Sequence, residues 1–151
     1  MRAVVQRVDR ASVTIDGNVN GKIEKGFMVL IGIDEKDEQK DLDYICDKLM
    51  GLRIFEDEEG KMNRSIIDAG GSILLISQFT LYGDARKGKR PSFIRAARPE
   101  KAIPLYEAAI AKLSEKVHVE TGIFGAEMKV ELVNDGPVTI LLDSERTFRW
   151  S

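Results

Sequence analysis

The first third of the chain is written in short alternations. Polar and apolar residues take turns from Arg2 to Val8, again from Ser12 to Ile15, and again from Val19 to Ile23 after an Asp16-Gly17 turn. A period of two sends successive side chains to opposite faces, so these segments predict strands with one buried side. Phe27 to Ile33 is apolar almost throughout, as a strand covered on both faces would be. Residues 1 to 33 together predict a β meander.

From Asp37 to Leu52 the period lengthens. Leu42, Ile45, Cys46, Leu49 and Leu52 recur at helical spacing, with acids in the first turn and Lys48 late, the order a helix dipole favours. Leu52 to Phe55 is strand-like, Glu59-Gly60 is a turn, and Gly70-Gly71 breaks the chain before the apolar strand Ser72 to Ser77, which runs on into Gln78-Phe79-Thr80-Leu81-Tyr82. Gly83 to Ser92 has no apolar period and predicts a loop. A second helix is expected over Ile103 to Lys116, because Pro104 suits a first turn and Leu105, Ala109, Ile110 and Leu113 share a face. Two last strands, Lys129 to Val133 and Val138 to Leu142, are joined by the turn Asn134-Asp135-Gly136-Pro137. With about seven or eight strands against two helices, the prediction is a single α/β domain over residues 1 to 151: layered, barrel-like sheets with both helices on one face.

At 151 residues, with 43% hydrophobic and 32% charged positions, the chain is long and apolar enough to close a core without metal or disulfide staples. No segment approaches the roughly 20 apolar residues of a membrane span. The first residues alternate too early to hold a signal peptide, and the lone Cys46 can form neither an internal disulfide nor a zinc cluster. A reducing, cytosolic setting without metal or other cofactor is expected. The net charge of -2 hides an asymmetry. Asp34 to Asp43 carries six acids and two lysines, whereas Ala85 to Pro99 carries six basic residues (Arg86, Lys87, Lys89, Arg90, Arg95, Arg98) and no acid. The basic stretch is suited to phosphates, or is simply a solvated charged loop.

Familiar catalytic machinery is missing. The single histidine, His118, follows the second helix in the alternating segment Lys116 to Glu120 and reads as a surface residue more readily than as a general base. Cys46 occupies the apolar face of the first helix, as a core thiol would. Neither a phosphate-binding P-loop nor a dinucleotide fingerprint occurs. What remains is a pair of hydroxyls, Ser77 and Thr80, where a buried strand hands over to the basic loop. Sites often form at such junctions, though the same hydroxyls serve equally well to satisfy backbone groups at a strand end. Gly136-Pro137 reads in the same neutral way as a tight turn.

Two motifs carry more. Ser77-Gln78-Phe79-Thr80-Leu81-Tyr82 with Gly83-Asp84 and Arg90-Pro91-Ser92-Phe93, followed by Asn134-Asp135-Gly136-Pro137-Val138-Thr139, resembles the D-aminoacyl-tRNA deacylase family. The opening Arg2 to Val8 and the stretch Gly122-Ile123-Phe124-Gly125-Ala126 extend the likeness over nearly the whole chain. The resemblance implies a cytosolic homodimer, its active site at the subunit interface, that hydrolyses the ester between a D-amino acid and the terminal adenosine of tRNA. It implies that Ser77, Gln78, Phe79 and Thr80 build one wall of the pocket, and that a cis Gly136-Pro137 pair reaches into the partner's site as a chirality filter. Arg7 is implied to brace the Gly-Pro loop, Phe124 to lie near the adenosine, and Asn134 to support the second motif. Arg86, Lys87, Lys89 and Arg90 would meet phosphates near the acceptor end.

For mechanism, Thr80 has no neighbouring base in sequence to activate it. The expected route instead uses backbone N–H groups around Phe79 and Thr80 as oxyanion donors, with the ribose 2'-hydroxyl of the tRNA assisting the attacking water. A filter that works by exclusion would spare L-aminoacyl-tRNA and admit glycyl-tRNA. Two alternatives stay open on sequence: an esterase with Thr80 as nucleophile and His118 as base, and a non-catalytic RNA-binding module.

Overall fold

In the computed structural model, which describes residues 1–147, the first two predicted strands are one. β1 (Arg2–Ile15) turns through Asp16 and Gly17, at φ of 50° and 80°, into β2 (Asn18–Ile23), which pairs with its second half. The meander stops there. β3 (Gly26–Gly32) pairs antiparallel with the first half of β1, Ala3 opposite Ile31, so β2 and β3 lie end to end along one side of β1.

The chain then leaves the sheet through α1 (Gln39–Gly51), a hairpin of β4 (Phe55–Glu56) and β5 (Met62–Arg64), and the single turn α2 (Ile66–Ala69). It returns as β6 (Ser72–Ser77), parallel to β3. The hairpin partner β5 and α2 are too short to show a period and were not expected. α3 (Pro99–Ser114) begins earlier than Pro104 suggested: Pro99 takes the first helical position after an extended Arg98, and Pro104 lies inside the helix. β7 (His118–Thr121) follows, parallel to β6.

The last two predicted strands are also one. β8 (Lys129–Asp143) runs antiparallel to β1 from the pair Thr14–Lys129 to the pair Arg2–Asp143. The expected turn is instead a bulge: between the pairs Gln6–Thr139 and Val8–Asn134, Arg7 alone faces the four residues Asp135 to Val138. Since both flanks keep the ladder to the same partner in the same direction, the extra residues have nowhere to go but outward. In the six-stranded sheet β1 therefore carries β2 and β3 along one side and β8 along the other, and β3 continues to β6 and then β7.

β6 shows how the sheet is filled. Ile73 and Leu75 enter a core with Val5, Phe27, Val29, Leu42, Ile45, Leu49, Ala109 and Leu113, under α1 and α3 on one face. Leu74 and Ile76 turn to the other face and join Val8, Ala11, Val13, Ile23 and Met28, flanked by Met128, Val130 and Leu132. Asn20 of β2 donates a 2.8 Å hydrogen bond to the Thr121 carbonyl of β7, which draws the two ends of the sheet together into an incomplete barrel.

Candidate functional site

At the end of β6 the Gln78 N–H makes the last ladder bond, 2.7 Å to the Ile31 carbonyl. The chain then tightens into a 3₁₀ turn over Phe79–Tyr82, closed by the Leu81 N–H on the Gln78 carbonyl at 3.2 Å. Gly32 makes this possible, because a Cβ there would stand 2.9 Å from the Leu81 Cβ. The N–H groups of Phe79 and Thr80 open the turn, where helical geometry supplies no acceptor for them. The Gln78 side-chain amide donates to the Thr80 hydroxyl, and the Phe79 ring is 56% exposed.

Beside this turn is a cleft of about 290 Å³. Ser77, Gln78 and Phe79 form one wall, and Phe124, Met128 and Val130 the other. Phe124 rests on Tyr106 of α3, ring centroids 6.2 Å apart, and the Tyr106 hydroxyl is fixed by donating to the Leu75 carbonyl at 2.7 Å. Thr80 does not line the cleft. Met128 and Val130 were not singled out in the sequence, although their alternation with Leu132, from just before β8 into it, was there to be read.

The second motif is clamped from both sides. The Asn134 amide imitates a peptide: its Oδ1 accepts from the Val138 N–H at 2.7 Å, and its Nδ2 donates to the Val138 carbonyl and the Thr139 hydroxyl, both at 3.2 Å. That closes the neck of the bulge. From the sheet side Arg7, only 5% exposed, donates from Nε to the Asp135 carbonyl at 3.0 Å and from Nη1 to the Ile54 carbonyl at 2.7 Å. Gly136 sits at φ +139°, and the Gly136–Pro137 peptide bond is cis. Asp135, Gly136 and Pro137 are exposed. Asn134 lies four strand residues beyond Val130, roughly 13 Å along β8, so the bulge stands away from the cleft of its own chain.

The basic loop is pinned at its ends, where Asp84 and Ser92 exchange backbone hydrogen bonds of 2.8 and 2.9 Å. Its members are not equivalent. Arg86 folds back on Asp84 with contacts of 2.9 and 2.6 Å, and that guanidinium holds the Asp84 carboxyl down at about 2. Lys87, Lys89 and Arg90 are exposed and make no ion pair among the described residues.

Cys46 is fully buried, and burial pushes its thiol up to about 12. It belongs to the core. His118 is exposed, bonded at 2.7 Å to Glu120, and in register with Ser72. Ser72 and Ser77 are opposite ends of β6, roughly 16 Å apart, so His118 is out of reach of Thr80. No group of three or more His, Cys, Asp or Glu able to hold a metal occurs among the described residues, and no helix among them is long and apolar enough to cross a membrane.

Comparison with known proteins fits this arrangement. A family model described as D-Tyr-tRNA(Tyr) deacylase matches residues 4–143. A D-aminoacyl-tRNA deacylase of Symbiobacterium thermophilum is 60% identical over 149 residues, 98% of this chain and 99% of that one. Another from Kosmotoga olearia is 59% identical, covering 98% of this chain and 100% of its own length. Among solved structures, the c-Myc DNA Unwinding Element Binding Protein superimposes with a TM-score of 0.90 at 44% identity, covering 95% of this chain and 98% of that one. A probable eukaryotic D-amino acid tRNA deacylase shares the fold, with a TM-score of 0.80 at 18% identity. The chain belongs to the D-Tyr-tRNA(Tyr) deacylase family.

Proposed function

We propose that the protein hydrolyses the ester between a D-amino acid, or glycine, and the terminal adenosine of tRNA, in the cytosol and as a homodimer. The observation that carries the reading is the pairing of an open cleft at the Ser77–Thr80 junction with a hydrogen-bonded, exposed main-chain bulge that begins roughly 13 Å beyond it along β8. A second copy supplies the missing wall: its Gly136-Pro137 bulge enters the cleft, and this chain's bulge enters the other.

The substrate ester lies with its carbonyl oxygen on the free N–H groups of Phe79 and Thr80. Such donors, fixed before the reaction, stabilise the charge that develops on that oxygen; each is worth about 100-fold to 1000-fold in rate. The adenosine occupies the side lined by Phe124 and Met128. Thr80 is not the nucleophile, because its hydroxyl receives a proton donor from Gln78 and touches no base that could take its own proton. Water attacks instead, assisted by the ribose 2'-hydroxyl. Carbonyl oxygens of the partner's bulge accept hydrogen bonds from the substrate ammonium and fill the space an L side chain would need. Lys87, Lys89 and Arg90 meet acceptor-end phosphates.

Against the esterase alternative speaks His118, which lies on β7 in register with Ser72, away from Thr80. The test is release of amino acid from matched D-, L- and glycyl-tRNA. Rapid release of the D-residue, slower release of glycine and none of the L-residue is expected; equal rates on D and L would overturn the filter, and no release at all would favour a binding module.

A further inference from the structure

Outside the cleft the turn carries a second feature that the hydrolysis does not use. The Phe79 ring, 56% exposed, is met edge-on by Phe93, 39% exposed, with ring centroids 5.2 Å apart and planes at 69°. Two large aromatics side by side in water are unusual unless something covers them. The pair is firmly seated: the Phe93 ring packs against the backbone of Gly83, where a Cβ would lie only 3.1 Å from Cε1, and Phe79 is held by the 3₁₀ turn. Its surroundings are cationic. Lys87, Lys89 and Arg90 project from the loop whose end at Ser92 adjoins Phe93, while Asp84, the acid of that loop, is occupied by Arg86.

Aromatic faces beside unpaired cations are the usual equipment for an unpaired nucleic-acid strand, because every base has a π face and every linkage a phosphate. We infer that the Phe79–Phe93 pair is a stacking platform for the unpaired nucleotide that precedes the terminal adenosine of the tRNA, and that Phe93 is a positioning residue for the reaction. The inference rests on the deacylase reading. Geometry supports this occupant over others: Phe79 lines the cleft and meets Phe93, whose neighbour Ser92 closes the basic loop, so the two rings join the cleft to the loop cations along the course of a strand whose last nucleotide enters the cleft. The second copy of the chain is the competing cover for the same rings, and the test separates the two.

The experiment compares Phe93→Leu, Phe93→Trp and the unaltered protein on two substrates, a full D-aminoacyl-tRNA and a D-aminoacyl-adenosine that ends where the cleft does. Stacking by one base is worth about 1–3 kcal/mol, or roughly 5-fold to 150-fold in affinity. Phe93→Leu is therefore expected to raise KM on tRNA by on the order of 10-fold with kcat nearly unchanged, to leave cleavage of the adenosine ester alone, and to keep its mass in solution. Phe93→Trp is expected to restore KM. Equal losses on both substrates, no loss on tRNA, or a change of oligomeric state in Phe93→Leu would each overturn the platform. Failure of the unaltered protein to cleave either ester would instead strike the deacylase reading itself.

Discussion

Replacing Gly136 by alanine tests whether the shape of the bulge matters, and the structure sets the size of the insult. The added Cβ would lie 2.7 Å from Val138 Cγ2, 2.9 Å from the Val138 nitrogen and 3.3 Å from Arg7 Nη2. Carbon atoms rest at about 3.5–4.0 Å, so the first overlap is close to 1 Å. None of these neighbours can give way easily. Val138 is buried and its N–H is held by Asn134, and Arg7 is buried and fixed by two carbonyls. At φ +139° an alanine is strained even without the contacts, by on the order of 1–3 kcal/mol. The strand flanks on either side stay paired to β1, so the strain is relieved by the exposed bulge shifting, by roughly the overlap. For a chain of this length that strain corresponds to a fall in Tm of roughly 2–12 °C. A displacement of about 1 Å at a positioning group typically costs on the order of 100-fold in rate. Single-turnover deacylation of D- and L-tyrosyl-tRNA, alongside a thermal melt, is the assay. Gly136→Ala should lose about two orders of magnitude on the D-substrate and much of its D-over-L preference. A variant with a lowered Tm but unchanged rate and preference would refute the argument, since the bulge would have moved without consequence.

Other outcomes follow from the same geometry. Arg7→Met keeps the volume but strips donors from the Ile54 and Asp135 carbonyls, at about 1–3 kcal/mol for each one left unpaired in the interior; Tm and deacylation should fall together, and an unaltered Tm would show that the clamp is not needed. Thr80→Ala should keep most activity while a substrate ending in 2'-deoxyadenosine is nearly inert; a loss of several orders of magnitude in Thr80→Ala with an accumulating acyl-enzyme would restore the threonine nucleophile. Binding of tRNA should weaken steeply with salt, and alanines at Lys87, Lys89 and Arg90 together should flatten the log–log slope by about 2–3, whereas Arg86→Ala, removing a side chain already paired with Asp84, should change it little. Equal effects from Arg86 and Lys87 would contradict the inequality the structure draws between them.

Much of the fold is legible in the periods. The helix over Leu42 to Leu49, the doubly buried β6 and the β1–β2 hairpin with its Asp16-Gly17 turn sit where alternation and helical spacing put them. What periodicity does not reveal is pairing. Asn134 to Pro137 reads as a tight turn, because an Asp-Gly flanked by apolar runs is ordinarily a hairpin. It becomes a bulge because β1, opposite it, is 14 residues long and keeps both flanks in line. The same long strand replaces the meander. The Ser77–Thr80 junction was visible as hydroxyls at a strand exit, but not its cleft, since Met128 and Val130 arrive from about a third of the chain away. Periodicity gave Arg7 only a place in an alternating strand, and the family resemblance implied that it braces the Gly-Pro loop; its burial and its bond to the Ile54 carbonyl belong to the tertiary fold. The split between Arg86 and the other loop cations comes from the contact of Arg86 with the Asp84 carboxylate, which composition does not encode.

The central claim is that the bulge of one subunit completes the cleft of the other, and mixed dimers address it directly. One subunit carries Gly136→Ala, with a sound cleft and a displaced gate; the other carries Ser77→Trp, with a sound gate and a cleft filled by the indole. Each homodimer should be inactive, and the purified heterodimer should recover about half of the unaltered rate, because one of its two sites pairs a sound cleft with a sound gate. A heterodimer as dead as its parents would mean that gate and cleft belong to the same chain, and the account would fail.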